Sequence, residues 1–140
     1  MYLLDTNVIS ELRQGKPKAS QAVRAWAAVQ PGNQLYLSAV TALEMEIGAR
    51  RIERRDNAQG IVLRAWTAAI LAAFEDRILP FTHLTAQLCA AMHVPDPCAF
   101  RDSMIAATAL EHGFAVVTRN VGDFRMAGMQ VVNPWEFTPP

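Results

Sequence analysis

The sequence has little that would suit a secreted or membrane-bound protein. Cys89 and Cys98 are the only cysteines among 140 residues, too few for a disulfide-stabilised secreted scaffold. The longest apolar stretch, 61–74, contains Arg64 and is shorter than the roughly 20 residues that a membrane span requires. The chain start lacks a basic segment and reaches Asp5 early, which argues against a signal peptide. We therefore expect a soluble protein of the reducing cytoplasm, with no membrane partner.

An excess of charge of one sign is also absent. Thirteen basic and thirteen acidic residues give a formal net charge of zero, so no overall field attracts a polyanion. Lysine is scarce, since only Lys16 and Lys18 occur and the other basic residues are arginines. A polyanionic partner would therefore need a local arginine patch. The arginines at positions 50, 51, 54 and 55 form one candidate, although the solvated end of a helix is the simpler interpretation.

The chain does contain enough apolar sequence for one domain. With 51% hydrophobic residues, we expect residues 1–140 to form a single globular unit. Short apolar runs predict strands at 2–4, 35–37, 78–81, 114–118 and 129–132. Between them the pattern predicts helices at about 8–13, 20–29, 39–51, 61–74, 82–93 and 100–112, with the polar stretch 53–60 as a separator. This alternation is typical of an α/β fold with a parallel sheet covered on both faces.

Two acidic residues stand where two predicted strands end. Asp5 closes the first strand, and Asp123 follows the strand at 114–118. In open α/β sheets, ligands bind beyond the carboxyl ends of the strands. Asp5 and Asp123 are therefore candidates for one functional site.

Two further acids lie on apolar helix faces. Glu44 shares a face with Leu43 and Ile47, whereas Glu46 lies on a more polar face, so we prefer Glu44. Asp102 begins a face that apolar residues continue at helical spacing. Each of the four acids also has a structural interpretation, as a helix cap, a helix-dipole partner or a turn residue.

Four carboxylates gathered at one edge of a sheet need cations, because burying an ionised group alone is costly. Few arginines stand at the relevant strand ends, so the sequence favours Mg²⁺ or Mn²⁺, which prefer carboxylate oxygens. Such ions activate water and stabilise the leaving oxygen in phosphodiester hydrolysis. Without metal, we expect the acids to repel one another and to strain the fold, so that Asp5→Asn or Asp102→Asn leaves the metal-free fold as stable or more stable.

Four segments in order carry a family resemblance: LDTNVIS at 4–10, EMEIG at 44–48, DSMIAATA at 102–109 and VTRNVGDF at 117–124. With them the chain resembles PIN-domain ribonucleases, and more narrowly the VapC or FitB type of toxin from bacterial toxin–antitoxin modules. The resemblance covers nearly the whole chain, from Met1 to about Trp135.

The resemblance implies a three-layer α/β/α sandwich with a mostly parallel central sheet, and a metal-dependent endoribonuclease that hydrolyses RNA. It assigns the metal to Asp5, Glu44, Asp102 and Asp123, with Thr6 and Thr118 as polar supports, and we count Thr118 with the four acids as catalytic. It also implies a homodimer and a neutralising antitoxin protein, with DNA contacted only through the antitoxin complex.

Other functions stay open at this point. A metal-dependent phosphatase or DNA nuclease is one, although the Asp5-Thr6-Asn7 start lacks the second aspartate of an aspartyl-phosphate phosphatase. A non-catalytic co-repressor that acts through an antitoxin is another. Cys89, His93 and Cys98, with Asp96 nearby, are a possible but weaker zinc constellation, because no Cys-x-x-Cys pair is present.

Overall fold

The computed structural model describes the backbone of residues 1–140 and the side chains of residues 1–124 and 128–140. A five-stranded, fully parallel sheet has the strand order β3-β2-β1-β4-β5. The strands are β1 (Tyr2–Leu4), β2 (Leu35–Ser38), β3 (Ile78–Leu79), β4 (Ala115–Val117) and β5 (Val131–Val132). All five were predicted from their short apolar runs, β1 with the same bounds, β2 one residue shorter and the other three at greater length.

Six helices connect these strands, two in each of the first three connections. They are α1 (Thr6–Glu11), α2 (Gln21–Ala28), α3 (Ala39–Arg55), α4 (Asn57–Ala73), α5 (His83–Ala91) and α6 (Phe100–His112). Gly113 ends α6 in the left-handed conformation, with φ 70°, as its position after His112 predicts. Among the residues that the structure describes, no helix is both long and apolar enough to cross a membrane.

Alternate residues of the central strands enter two separate hydrophobic cores. Leu4 and Val117 pack with α1 and α2 on one side, whereas Leu3 and Val116 pack against α6 on the other. This alternation follows from the two-residue period of a strand. The predicted three-layer α/β/α sandwich with a parallel sheet is therefore confirmed.

The polar stretch 53–60 does not separate the third and fourth helices, so that prediction is wrong. Only Asp56 lies between α3 and α4, in an extended conformation with φ −148° and ψ 93°. Its side chain accepts a 3.1 Å hydrogen bond from the backbone N–H of Gln59 and so caps α4. The stretch is polar because both helices are solvent-exposed there, and polarity alone does not end a helix.

The sheet order brings two distant chain positions to one edge. Strand β1 lies beside β4, with Leu4 paired to Val117, so the residues that follow β1 and β4 are neighbours. Asp5 directly follows β1, and Thr118 directly follows β4. The carboxyl edge of the central strands therefore forms the floor of the candidate site.

Candidate active site

Asp5 is fully buried at the centre of this edge. Its Oδ1 accepts a 2.7 Å hydrogen bond from the backbone N–H of Thr6, which makes it the N-cap of α1. Its Oδ2 accepts a 2.7 Å hydrogen bond from the Thr118 hydroxyl. Asp5 therefore combines a structural role with a place at the site, since Oδ1 caps α1 and Oδ2 is held by the neighbouring strand.

Thr118 is buried and holds Asp5 from the neighbouring strand. Besides donating to Asp5, its hydroxyl oxygen accepts a 3.0 Å hydrogen bond from the backbone N–H of Asn120. The side-chain amide of Asn7 lies 3.4 Å from both Thr118 Oγ1 and Asp5 Oδ2. Sequence reasoning did not identify Asn7, which stands two residues after Asp5.

Glu44 reaches the site from α3. Its Oε1 accepts a 2.6 Å hydrogen bond from the Thr6 hydroxyl, and 28% of its side chain is exposed. Glu46 is 41% exposed and faces Arg50 at 3.9 Å, so the structure brings Glu44 and not Glu46 to Asp5.

The helix face that we assigned to Glu44 was partly wrong. Leu43 and Ile47 are exposed, and the buried residues of α3 are Val40, Thr41, Met45 and Ala49. The buried face of α3 is therefore offset from the predicted one, and Glu44 lies at its margin.

Asp102 lies in the first turn of α6, beside a residue that sequence reasoning missed. Arg101 places its guanidinium among three carboxylates. Its Nε donates to Glu44 Oε2 at 2.5 Å, its Nη1 donates to Asp102 Oδ1 at 2.6 Å, and its Nη2 donates to Asp5 Oδ1. The expectation that few arginines stand near these acids, so that metal alone must neutralise them, therefore overlooked Arg101 at the start of α6. The sequence did contain a signal for this contact, since Arg101 directly precedes the candidate acid Asp102.

The charge of Arg101 is stabilised by its surroundings. Burial alone lowers the pKa of the guanidinium, but the hydrogen bond to Glu44 and the charge of Asp5 outweigh it and raise that pKa above its ordinary value. Three carboxylates facing one guanidinium still leave an excess of two negative charges. The cluster is therefore cation-binding in chemistry and only partly neutralised.

Asp123 stands apart from the other three acids. It is exposed, in the 3₁₀-helical segment Val121–Ala127, and its backbone N–H donates to Asn120 O at 3.0 Å. Among the side chains that the structure describes, no hydrogen bond or ion pair joins Asp123 to Asp5, Glu44 or Asp102. Its assignment to the site stays a prediction.

A cleft of about 240 Å³ opens beside Glu44, between α1, α3 and α4. Thr6 and Ser10 form part of its wall, and Met45, Ile52 and Trp66 contribute apolar surface. The cleft therefore reaches Glu44, at the margin of the acidic cluster.

The residues of the weaker zinc hypothesis, Cys89, His93 and Cys98, make hydrogen bonds to neighbouring protein groups. His93 Nε2 lies 2.8 Å from the Ser103 hydroxyl, and the Cys89 thiol donates to the same hydroxyl at 3.3 Å. The Cys98 thiol instead donates to the Met92 carbonyl at 3.5 Å. His93 and Cys89 share one partner and Cys98 has another, and among the described residues no three possible metal ligands are grouped together.

Comparison with known proteins identifies relatives over nearly the whole chain. The PIN domain family model matches residues 2–128. The chain is 39% identical over 143 residues to the VapC ribonuclease Y4jK of Sinorhizobium fredii, covering 97% of this chain and 99% of that protein. It is 35% identical over 140 residues to toxin FitB of Neisseria gonorrhoeae, covering 96% of this chain and 99% of that protein. It also matches a chain in the structure of FitAB bound to an IR36 DNA fragment, with TM-score 0.87, 35% identity and 99% coverage of each chain.

Proposed function

Since the chain belongs to the PIN-domain family and is a ribonuclease toxin of the toxin–antitoxin type, we propose that Asp5, Glu44 and Asp102 hold its divalent metal. Ribonucleases of this family depend on divalent metal in general. One observation carries the proposal: carboxylates that follow β1 and lie on α3 and α6 converge on a single cationic group at the carboxyl edge of the sheet.

The residues fit a metal by the chemistry of their donor atoms. All three donors are carboxylates, which suit Mg²⁺ and Mn²⁺, and they already bind one cation. Within the described residues, no acidic, histidine or cysteine side chains are grouped to hold a metal as they stand. We attribute this to Arg101, whose guanidinium lies between the three carboxylates and keeps them apart.

Neighbouring hydroxyls orient the proposed ligands. Thr118 holds Asp5 Oδ2, which leaves Oδ1 facing the cation, and Thr6 holds Glu44 Oε1, which leaves Oε2 facing it. Each of these carboxylates thus has one oxygen held by a hydroxyl and the other facing the cation, which limits the reorganisation on binding. Asp5 Oδ1 also accepts the capping hydrogen bond from the Thr6 N–H. When bound, the metal supplies an activated water and stabilises developing charge during phosphodiester hydrolysis.

We also keep Asp123 as a fourth acid and Thr118 as a catalytic support. The support for Asp123 is its place in the segment that follows β4 and Thr118, on the strand end next to Asp5. Because Asp123 is exposed and makes no described side-chain bond, it is free to turn towards a ligand.

RNA is the proposed substrate, and an antitoxin protein the proposed partner. The VapC relative is named a ribonuclease, and the FitAB relative is a DNA-bound assembly, which supports DNA contact through an antitoxin complex. We further propose a homodimer, because Leu84, Val94 and Phe100 are large exposed apolar residues. Two free cysteines and an RNA substrate favour a cytoplasmic location.

The test is cleavage of RNA by the purified wild type and by Asp5→Asn and Glu44→Gln variants, with Mg²⁺, Mn²⁺ or EDTA. We expect cleavage only with metal, and we expect each variant to lose more than the roughly 10–100-fold typical of supporting residues. Glu46→Gln is the matched control, since it removes a neighbouring carboxylate of α3 that lies outside the cluster. Metal-independent cleavage, or full activity in both variants, would refute the proposal.

A host assay separates catalysis from co-repression. If Asp5→Asn arrests growth as strongly as wild type and no RNA ends change, the protein acts through its complexes and not through hydrolysis. We expect the variant to permit growth.

A further inference from the structure

The guanidinium of Arg101 uses three different nitrogens on three different carboxylates. Nε, Nη1 and Nη2 contact Glu44 Oε2, Asp102 Oδ1 and Asp5 Oδ1 respectively. A guanidinium is planar and rigid, so these three contacts define one position for it. Arg101 thus occupies the point on which the acids converge.

The oxygens that bind Arg101 are the ones that a metal would need. The other oxygens of Asp5 and Glu44 are hydrogen-bonded to Thr118 and Thr6. Resting on the proposed function, we propose that Arg101 is an internal counter-ion that holds the metal position in the metal-free protein, and that metal binds by displacing it.

Charge favours the exchange in the presence of metal. One guanidinium leaves an excess of two negative charges on the three carboxylates, and a divalent ion neutralises more of them than a single positive charge does. Without metal, Arg101 prevents the repulsion that the acids would otherwise exert on one another. The same side chain thus stabilises the empty site and competes for it.

Arg101 has a route out of the cluster. Its side chain is 34% exposed, and it lies in the first turn of α6, next to the largely exposed Phe100. Rotation of this long side chain moves the guanidinium into water without moving the helix. Displacement therefore requires no change in the fold.

Competition lowers the apparent affinity for metal. When the binding-competent conformation is only a fraction of the population, the apparent dissociation constant rises in inverse proportion to that fraction. Removing Arg101 should therefore tighten metal binding, whereas an arginine that assisted binding would weaken it on removal. The two possibilities therefore predict opposite changes in metal affinity when Arg101 is removed.

The first experiment is a titration of the full chain with Mn²⁺ alone, followed by the electron paramagnetic resonance signal of the free ion. We expect Arg101→Gln to bind Mn²⁺ at least about tenfold more tightly than wild type, because without the arginine a larger fraction of the protein is in the conformation that binds metal. Arg64→Gln is the matched control, since it removes an arginine that pairs with Glu53 on an exposed surface. Equal or weaker binding by Arg101→Gln would overturn the inference.

An Asp5→Asn arm separates the two proposals. If Asp5→Asn loses Mn²⁺ binding and Arg101→Gln binds like wild type, the metal site stands and the competition fails. If neither wild type nor Arg101→Gln binds Mn²⁺, both the metal site and the competition are overturned.

A second measurement follows metal binding in the wild type itself and uses a variant only to assign one resonance. The Arg101 Nε–Hε group, assigned by its loss in Arg101→Lys, should give a protected resonance in ¹⁵N-correlated spectra of the metal-free protein. We expect saturating Mg²⁺ to shift this resonance and expose it to exchange with water. An Nε–Hε that stays protected in Mg²⁺-saturated protein would show that metal and arginine bind together, against the inference.

Discussion

The Thr118 hydroxyl donates a 2.7 Å hydrogen bond to Oδ2 of Asp5, although 113 residues separate the two in sequence. Both are fully buried, and each directly follows one of two paired central strands. The sheet register therefore fixes the orientation of the central acid before any ligand binds.

Thr118→Val should weaken both the fold and the activity. Valine removes the hydroxyl that serves Asp5 and Asn120, and an unsatisfied buried group costs about 1–3 kcal/mol. Urea unfolding and RNA cleavage measure the two effects. Thr118→Ser keeps the hydroxyl and should retain most of the activity; a valine variant equal to wild type in both assays would contradict this role.

Asp5→Asn should destabilise the metal-free protein. From the sequence, acid repulsion predicted that this change would leave the metal-free fold as stable or stabilise it, but Arg101 already neutralises part of that repulsion. Asparagine keeps the cap on α1 and loses the ion pair, at a cost of about 1–3 kcal/mol, because the partly exposed guanidinium is partly screened by water. Urea unfolding in EDTA tests this.

Asp123→Asn is the control for that comparison. Its side chain is exposed, so the change should alter stability by no more than about 0.5 kcal/mol. A metal-free Asp5→Asn protein as stable as wild type would show that the Arg101 contacts add nothing to folding.

Glu11 should make stability depend on pH in the acid range. It is buried, and its carboxylate accepts hydrogen bonds from Lys16 Nζ at 2.7 Å and from the Ser20 N–H at 2.6 Å. The bond from Lys16 lowers the pKa of Glu11 against the opposing effect of burial. A carboxyl whose pKa is lower in the folded state stabilises the fold above its ordinary pKa of about 4.3, and this contribution disappears as pH falls through the lowered value.

The comparison is between wild type and Glu11→Gln in urea unfolding from about pH 7 down to about pH 3. We expect wild type to be more stable near neutrality and the difference to shrink at acid pH. A difference that stays constant with pH would mean that Glu11 contributes by shape and not by charge.

Gly60 should tolerate no side chain. A Cβ built there would lie 2.2 Å from the Glu53 Cα, so α3 and α4 would have to separate, and overpacking of this kind costs about 1–3 kcal/mol or more. Gly48 is the matched control on α3, because a Cβ there meets nothing within 4 Å. Gly48→Ala should instead stabilise the helix by about 0.5–1 kcal/mol. Thermal unfolding that ranks the two variants in the opposite order would contradict the close helix crossing.

The arginine cluster on α3 offers a test of RNA contact. Arg50 and Arg51 are exposed, and Arg50 makes only a 3.9 Å pair with Glu46. If both arginines contact RNA phosphates, changing both to alanine should reduce the slope of log RNA affinity against log salt concentration by about one unit per arginine. Lys18→Ala, another exposed basic residue, is the control; an unchanged slope would make the cluster a solvated helix surface.

Much of the fold was determined by the sequence itself. Strands such as 2–4 and 114–118, and the helix that ends at His112-Gly113, are specified by local periodicity and cap chemistry, which need no knowledge of distant residues. Asp5 and Asp102 could be identified for the same reason, because an acid at a strand end or on an apolar helix face is anomalous within its own segment.

Only the tertiary structure decided which cation meets those acids. Arg101 lies 96 residues from Asp5 and 57 from Glu44, and it reaches both because β1, α3 and α6 meet at one sheet edge. The exposure of Leu43 and Ile47, and the close crossing at Gly60, likewise depend on how whole helices pack. Local patterns specify elements and their anomalous residues, but partners are chosen by the packing of elements far apart in sequence, which the periodicity of one segment does not contain.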